Sequence, residues 1–313
     1  MSTPEGPLSG LRVGLSVSGT ETDMARRGFT KDGLNRLTVR LARALLAEGA
    51  ALGFGHDWRE GGVMEAVANI ALDYQHTTVP AETGPPIVNY IPWPDTASAT
   101  DPALLTKLKG IVEVIPAGLH EELRPLEEHA LRAGRSSEEW RYLRARGLTH
   151  LRKLLVEHCQ ARVALGGKLE GVEGRLPGIV EEIFLSLTAR QPVYLAGLLG
   201  GATELLGKNL LEEGSAEILR QALMGAAQSP LAAIYSRRAE PSSSGLADSD
   251  LNVEAVLGYL TTDGSRTCIR TNGLRREEHL VLLNTSLEEE AVSLILKGLK
   301  HGWKPRTSSF QKK

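Results

Sequence analysis

The chain has 313 residues, 42% of them hydrophobic, and a formal net charge of −2 from 36 basic and 38 acidic side chains. Such a composition suits a soluble globular protein with a sizeable core in one large or two modest domains. The charge balance argues against a global field that would recruit nucleic acid or an anionic membrane, and no apolar run approaches the roughly 18–20 residues of a membrane span.

The N-terminal MSTPEGPLSG lacks the basic patch and apolar run of a secretory signal, so it reads as a flexible lead-in and a cytoplasmic location is expected. Leu11 to Ser18 is an apolar, β-branched run ending in Ser-Gly, as in a buried strand that opens onto a loop. The loop, Gly19 to Thr30, is long and polar. Asp32-Gly33 precedes a helix in which Leu34, Leu37, Leu41 and Leu45 form one apolar stripe, and Gly49 closes it. A second strand, Ala51 to Phe54, runs into Gly55-His56-Asp57, and a second helix starts near Val63. Strand, loop, helix, strand, helix is the opening of a doubly wound sheet.

Pro86 to Ile91 and Ile111 to Ile115 predict two more strands, the first edge-like or partly irregular because proline stands at both ends. Leu119 to Gln160 reads as charged helix broken near Gly134 and Gly147, with Trp140 and Tyr142 as packing or interface residues. Arg162 to Leu165 is a strand, Ile179 to Ala189 a helix, and Val193 to Leu198 a strand running into Gly200-Gly201, after which helices finish the unit. The predicted organisation is a domain over 1–239, a linker over 240–251 (EPSSSGLADSD at its heart) and a helical C-terminal extension over 252–313 that packs on the same domain. In the extension, Ser286 and Glu289 make a capping-box pattern, and the tail from Lys297 is basic.

In an open parallel sheet, ligands sit at the carboxyl ends of the strands. Four predicted strand ends carry glycines or small hydroxyls: Ser16-Val17-Ser18-Gly19, Gly53-Phe54-Gly55-His56, Gly166-Gly167-Lys168 and Gly200-Gly201. Glycine lets backbone amides approach a phosphate, and a following helix adds free N–H groups and its positive dipole end. The same glycines also suit tight turns that need positive φ, and one pair alone does not separate the two readings. No GxGxxG or GxxxxGK[ST] is present, which argues against a dinucleotide dehydrogenase or a nucleoside triphosphatase, and no cofactor is expected. The two cysteines, Cys159 and Cys268, fit no CxxC or Cys/His spacing and read as reduced thiols; with the histidines scattered, no metal site is expected.

Pro177-Gly178 opens a helix whose first turn holds Glu181 and Glu182. Carboxylates there complement the dipole, but one among phosphate-holding amides could also bind a ribose hydroxyl or assist glycosidic scission. Neighbouring helical positions diverge by about 100°, so only one of the pair can face a ligand. Arg152, on the preceding helix, offers a planar fork suited to phosphate.

THLRK, then ARVALGG, then GRLPGIVEE resembles the SLOG superfamily of Rossmann-like domains, which joins LOG-type phosphoribohydrolases, the DNA-processing protein of natural transformation and nucleotide sensors of prokaryotic defence systems. Arg152-Lys153 match the Arg-Lys pair of the LOG enzymes, Ala164-Leu165-Gly166-Gly167 most of ALPGG, and Gly178 to Glu182 the GTxxE element with Ile179 in place of threonine. Gly53, Gly55 and Gly62-Val63-Met64 are similar to the upstream glycine elements. Leu165 stands where the enzymes have proline, and Lys168 to Leu176 separate Gly167 from Pro177 where the enzyme motif allows one residue.

The resemblance implies an α/β, Rossmann-like, mostly parallel doubly wound sheet. The expanded loop and Lys168 look more like the sensor branch, such as the SLOG domain of Thoeris antiphage effectors, in which an arginine, a lysine and a glutamate hold a cyclic ADP-ribose-type signal; here those are Arg152, Lys168 and Glu182. It further implies a small nucleotide-derived ligand, a homo-oligomer (dimer or tetramer) and action through a protein effector partner or through that oligomer. The LOG branch implies instead N-glycosidic cleavage of a nucleotide by Arg152 and Glu182, and the DNA-processing branch single-stranded DNA binding, which needs a basic track that this near-neutral chain shows only at its tail.

Overall fold

The computed structural model describes residues 6–55, 64, 67, 70, 85–95, 102–211, 216–227, 230–237, 251–260 and 263–304. His56 and Gly62-Val63 lie outside the described residues, as do 240–250 of the expected linker and Arg306, Lys312 and Lys313 of the tail. Among the described residues, no helix is long and apolar enough to cross a membrane.

Six strands form one sheet: β1 Arg12–Ser18, β2 Ala51–Gly55, β3 Ile87–Pro92, β4 Val112–Gly118, β5 Ala161–Gly166 and β6 Val193–Ala196. Their order is β4-β3-β2-β1-β5-β6 and every pairing is parallel. The chain steps outward from β1 to β4, then crosses back to place β5 on the other side of β1. The strand order therefore reverses between β1 and β5, where an α/β sheet opens a crevice. The protein has an α/β, Rossmann-like fold.

Helices cover both faces. On one, α1 (Glu21–Arg26) and α2 (Lys31–Ala47) follow β1. Thr30 caps α2 by accepting from Gly33 N at 3.1 Å, and Leu34, Leu37, Leu41 and Leu45 are buried against Val13 and Leu15 of β1 and Leu52 and Phe54 of β2. Each such leucine contributes about 1.5–3 kcal/mol by leaving water. The loop expected after β1 thus contains a helix, α1, whose Thr20 hydroxyl accepts from Asp23 N at 3.1 Å; Met24 is its one buried residue, a signal too short to show as periodicity. After β2, Met64, Val67 and Ile70 are helical and buried in the same core.

α3 (Pro102–Lys107) leads into Leu108, which is buried in the core on the α2 side, whereas the opposite face carries α4 (Arg124–Ala133), α5 (Glu138–His158) and α6 (Gly178–Thr188), with Leu151 and Leu155 of α5 packed on Val88 and Tyr90 of β3. The helical stretch does break at Gly134, which has φ of 82°, but Gly147 lies inside an unbroken α5. A Cβ at Gly147 would stand 3.1 Å from that of Trp93, so this glycine makes room for close packing instead of ending the helix. Tyr142 is buried and meets Tyr235 edge-on at 5.3 Å, which removes it from any interface between copies. β3 is not an edge strand. It is paired on both sides and wholly buried; its prolines bracket the ladder, Pro86 lending its carbonyl to Leu52 N at 2.7 Å and Pro92 marking a register shift.

Among the described residues the remaining α-helices are α7 (Gly201–Leu210), α8 (Ala216–Ala227), α9 (Pro230–Arg237), α10 (Val253–Leu260), α11 (Asp263–Arg270), α12 (Arg276–Asn284) and α13 (Glu288–Gly302). Ala291, Ile295 and Leu299 of α13 join the core beside α2, and Lys300 reaches Glu48 at 2.7 Å. The Ser286–Glu289 box is not used: Leu287 holds the cap position of α13 without a side-chain bond, while Glu278 caps α12 from inside by accepting from Arg275 N at 2.9 Å.

Candidate functional site

β1 is the floor of the site. Its alternation sends Val13, Leu15 and Val17 to the α2 side and Gly14, Ser16 and Ser18 to the side of α5 and α6. In register with Gly14 on β5 stands Arg162, whose side chain is fully buried. A Cβ at Gly14 would lie 3.0 Å from the Arg162 Cζ, so the glycine lets the guanidinium lie flat across β1. There Arg162 Nε donates to Ser186 Oγ at 2.8 Å, and Nη1 to Ser16 Oγ at 3.0 Å and Glu182 Oε2 at 3.1 Å. Ser16 Oγ in turn donates to Glu182.

The two glutamates at the start of α6 divide as helix geometry requires. Glu181 is completely buried and accepts from Arg152 Nη1 at 2.7 Å. Glu182 turns into a cavity, its Oε2 held by Ser16 and Arg162 and its Oε1 3.7 Å from Arg152 Nε. Arg152 rests against glycine backbone: a Cβ at Gly178 would come within 2.8 Å of Nη2 and one at Gly174 within 3.0 Å of Nη1. These contacts fix the guanidinium at the cavity wall beside the first turn of α6, whose leading amides have no partner within the helix.

The cavity, about 360 Å³, opens at the carboxyl ends of β1, β2 and β5, within the range of small-molecule sites, roughly 300–1,000 Å³. It brings together Ser16, Ser18, Gly55, Arg152, Lys168, Gly178 and Glu182 of the residues expected from sequence. Phe54, Met64, Leu148 and Leu151 supply an apolar wall, and the loop after β5 supplies Gly171 to Gly174. Lys168 is exposed and makes no ion pair among the described residues, so its ammonium is available to an anion.

Several expected residues are not among those that line this cavity. Gly166 has φ of 72° and a Cβ there would lie 2.0 Å from Ser18 O; Gly167, at φ of 108°, would clash with Ala202 Cβ at 2.8 Å. A Cβ at Gly201 would meet Gly167 O at 2.3 Å, and Gly200 sits beside the Arg27–Glu204 ion pair. Gly19 is pressed on Met24, and Glu181 is sealed behind Arg152. For both glycine pairs the geometry is that of tight junctions between strand and helix. His56 falls outside the described residues.

Two arginines escaped the sequence reading. Arg162 had a signal: a charge within the apolar run ARVALG of a strand buried on both faces needs a partner there. Arg144 shares the cavity face of α5 with Leu148, Leu151 and Arg152; its Nη1 donates to Trp93 O and Asp95 Oδ2, both at 2.8 Å, and its Nε to Glu173 at 3.2 Å. Helical periodicity from Arg152 backwards would have placed it on that face.

No curated protein and no solved structure matches the chain. Residues 7–282 match the family model described as SLOG cluster2, which spans the sheet, the cavity and the helices through most of α12. The chain therefore belongs to the SLOG superfamily, within SLOG cluster2.

Proposed function

We propose that the cavity binds a nucleotide-derived small molecule, of the ADP-ribose, NAD or cyclic-nucleotide type, and that the protein is a sensor of it. The carrying observation is that Arg152, Lys168 and Glu182, drawn from three separate segments, line one cavity at the point where the strand order reverses. Arg152 and Lys168 with the first amides of α6 suit phosphate. Glu182 Oε1 suits a ribose hydroxyl, and the wall of Phe54, Met64, Leu148 and Leu151 suits a base. A signal read here passes to a partner protein or through the protein's own oligomer, and a role in antiphage defence fits such a sensor.

Calorimetric titration with AMP, NAD and ADP-ribose tests this. Lys168→Ala removes an exposed side chain and leaves no buried charge, so it should weaken binding at least about tenfold, as expected for a lost charged hydrogen bond, with unchanged stability. Arg152→Gln is best made with Glu181→Gln, which leaves no lone buried carboxylate. If Lys168→Ala and Glu182→Gln both leave every nucleotide's affinity unaltered, the cavity is not the site.

Hydrolysis of the N-glycosidic bond is a second reading, favoured by a carboxylate and an arginine side by side on the cavity wall. Glu182 would then stabilise oxocarbenium-like charge while Arg152 holds the phosphate. Chromatography after incubation with the same three compounds separates the readings: base released in proportion to enzyme identifies the hydrolase, and intact ligand recovered after binding identifies the sensor.

A further inference from the structure

Arg144 is anchored differently from the other cavity cations. Its Nη1 is fixed by the Trp93 carbonyl and the Asp95 carboxylate, both at 2.8 Å, which hold the guanidinium against the wall. The Nε–Nη2 edge, the edge that takes a phosphate or carboxylate in a two-pronged bond, carries only a 3.2 Å contact from Nε to Glu173, and Nη2 makes no hydrogen bond among the described residues. Glu173 is a poor permanent partner. Its side chain is 67% exposed, and it stands between Gly171, at φ of 63° with open space about it, and Gly174. With one partner this exposed, water screens the pair and it contributes little.

Resting on the reading of the cavity as a nucleotide site, we propose that Arg144 is a second anion subsite, occupied by the Glu173 carboxylate until a ligand bearing two anionic groups displaces it. Arg144 lies eight residues before Arg152, about 12 Å along the helix backbone at 1.5 Å per residue, and both line the cavity with Lys168, so the wall suits a ligand that carries more than one anionic group. A ligand with a single phosphate satisfies Arg152 and Lys168 and leaves Glu173 in place. The subsite thus makes the cavity discriminate by the number of anionic groups.

Titration of the full chain with AMP, ADP and inorganic tripolyphosphate tests the proposal, using Glu173→Gln and, as a control that removes the same charge from the same loop, Glu170→Gln; Glu170 is exposed and makes no ion pair among the described residues. Glu173→Gln is expected to tighten ADP and tripolyphosphate by about two- to five-fold, the range an exposed ion pair allows, and so to raise the ratio of ADP to AMP affinity, while Glu170→Gln leaves that ratio as it was. Tightening of tripolyphosphate by Glu173→Gln without binding of either nucleotide supports the subsite and removes AMP and ADP as its ligands, leaving the nucleotide reading to the titration with NAD and ADP-ribose. Nucleotides that bind with a ratio unmoved by Glu173→Gln, or moved equally by Glu170→Gln, overturn the subsite and leave the nucleotide reading standing. No binding of tripolyphosphate by the parent chain or by Glu173→Gln also overturns the subsite.

Discussion

Arg162 reaches the Glu182 carboxylate at 3.1 Å from a strand position with no exposed surface. The carboxylate that faces the cavity is therefore aimed from below, by a guanidinium lying on the backbone of Gly14, and from the side by the Ser16 hydroxyl. A carboxylate braced by a strand-borne group keeps one orientation, which a flexible glutamate at a helix start would not.

Removing Arg162 tests that bracing. Arg162→Met leaves Ser16, Ser186 and Glu182 without their shared donor and should cost about 3–5 kcal/mol, the range for breaking a buried pair from one side. Arg162→Met with Glu182→Gln removes both charges and should be more stable than the summed single losses by about 0.5–3 kcal/mol. Urea unfolding of the four proteins measures the coupling, and strictly additive losses would show that the two side chains do not work as a unit.

Much of the fold was legible because its signals are periodic. The leucine stripe of α2, the apolar run of β1 and the helix opened by Pro177 each report a buried face, and those faces meet the same sheet. What was not legible depends on neighbours distant in sequence. Gly147 reads as a helix break until Trp93 is found against it, and Gly166 serves equally well on paper as a phosphate turn or as the tight contact with Ser18 that it makes. Of the site, the order Arg152, Lys168, Glu182 could be read along the chain. Arg162 and Arg144 matter through partners 146 residues away for Ser16 and 51 for Trp93, which no local pattern announces.

Gly166, the last residue of β5, and Gly171, in the loop that follows, both have positive φ and should respond differently to a methyl group. Gly171→Ala, at φ of 63° in open space, should cost about 1–2 kcal/mol, the penalty of a left-handed backbone for an L-residue. Gly166→Ala meets the same penalty at φ of 72° and also drives a Cβ to 2.0 Å from Ser18 O, so the β1–β5 pairing must shift. Another 1–3 kcal/mol or so is expected from that overpacking. Equal urea midpoints for the two variants would contradict the packing role given to Gly166.

Cys159 should be chemically silent in the folded protein. Its thiol is 2% exposed beneath Gly53, and burial pushes its pKa up to about 11, so little thiolate forms near neutrality. Iodoacetamide at pH 8 followed by peptide mass mapping should leave the Cys159 peptide unmodified in buffer and alkylated in urea. Rapid alkylation in buffer would mean that α5 and β2 open at that end far more readily than their packing implies.

Glu278 ties α12 to α13 and gives the C-terminal helices an acid sensitivity of predictable sign. The hydrogen bond from Lys297 Nζ at 2.5 Å, aided by the Arg275 backbone N–H at 2.9 Å and side chain at 3.0 Å, lowers its pKa from 4.5 to about 2. A carboxylate held lower in the folded chain than in the unfolded one stabilises the fold above the unfolded value, and that stabilisation is lost as pH falls through the folded value. Glu278→Gln should therefore be less stable than the parent at pH 6. The gap should narrow below about pH 4.5 and close near pH 2. Comparing the two proteins at each pH cancels the titration of the other carboxylates, because only position 278 differs. Urea midpoints at pH 6 and pH 2.5 measure it, and a gap of the same size at both would show that Lys297 and Arg275 do not hold the ionised form of Glu278.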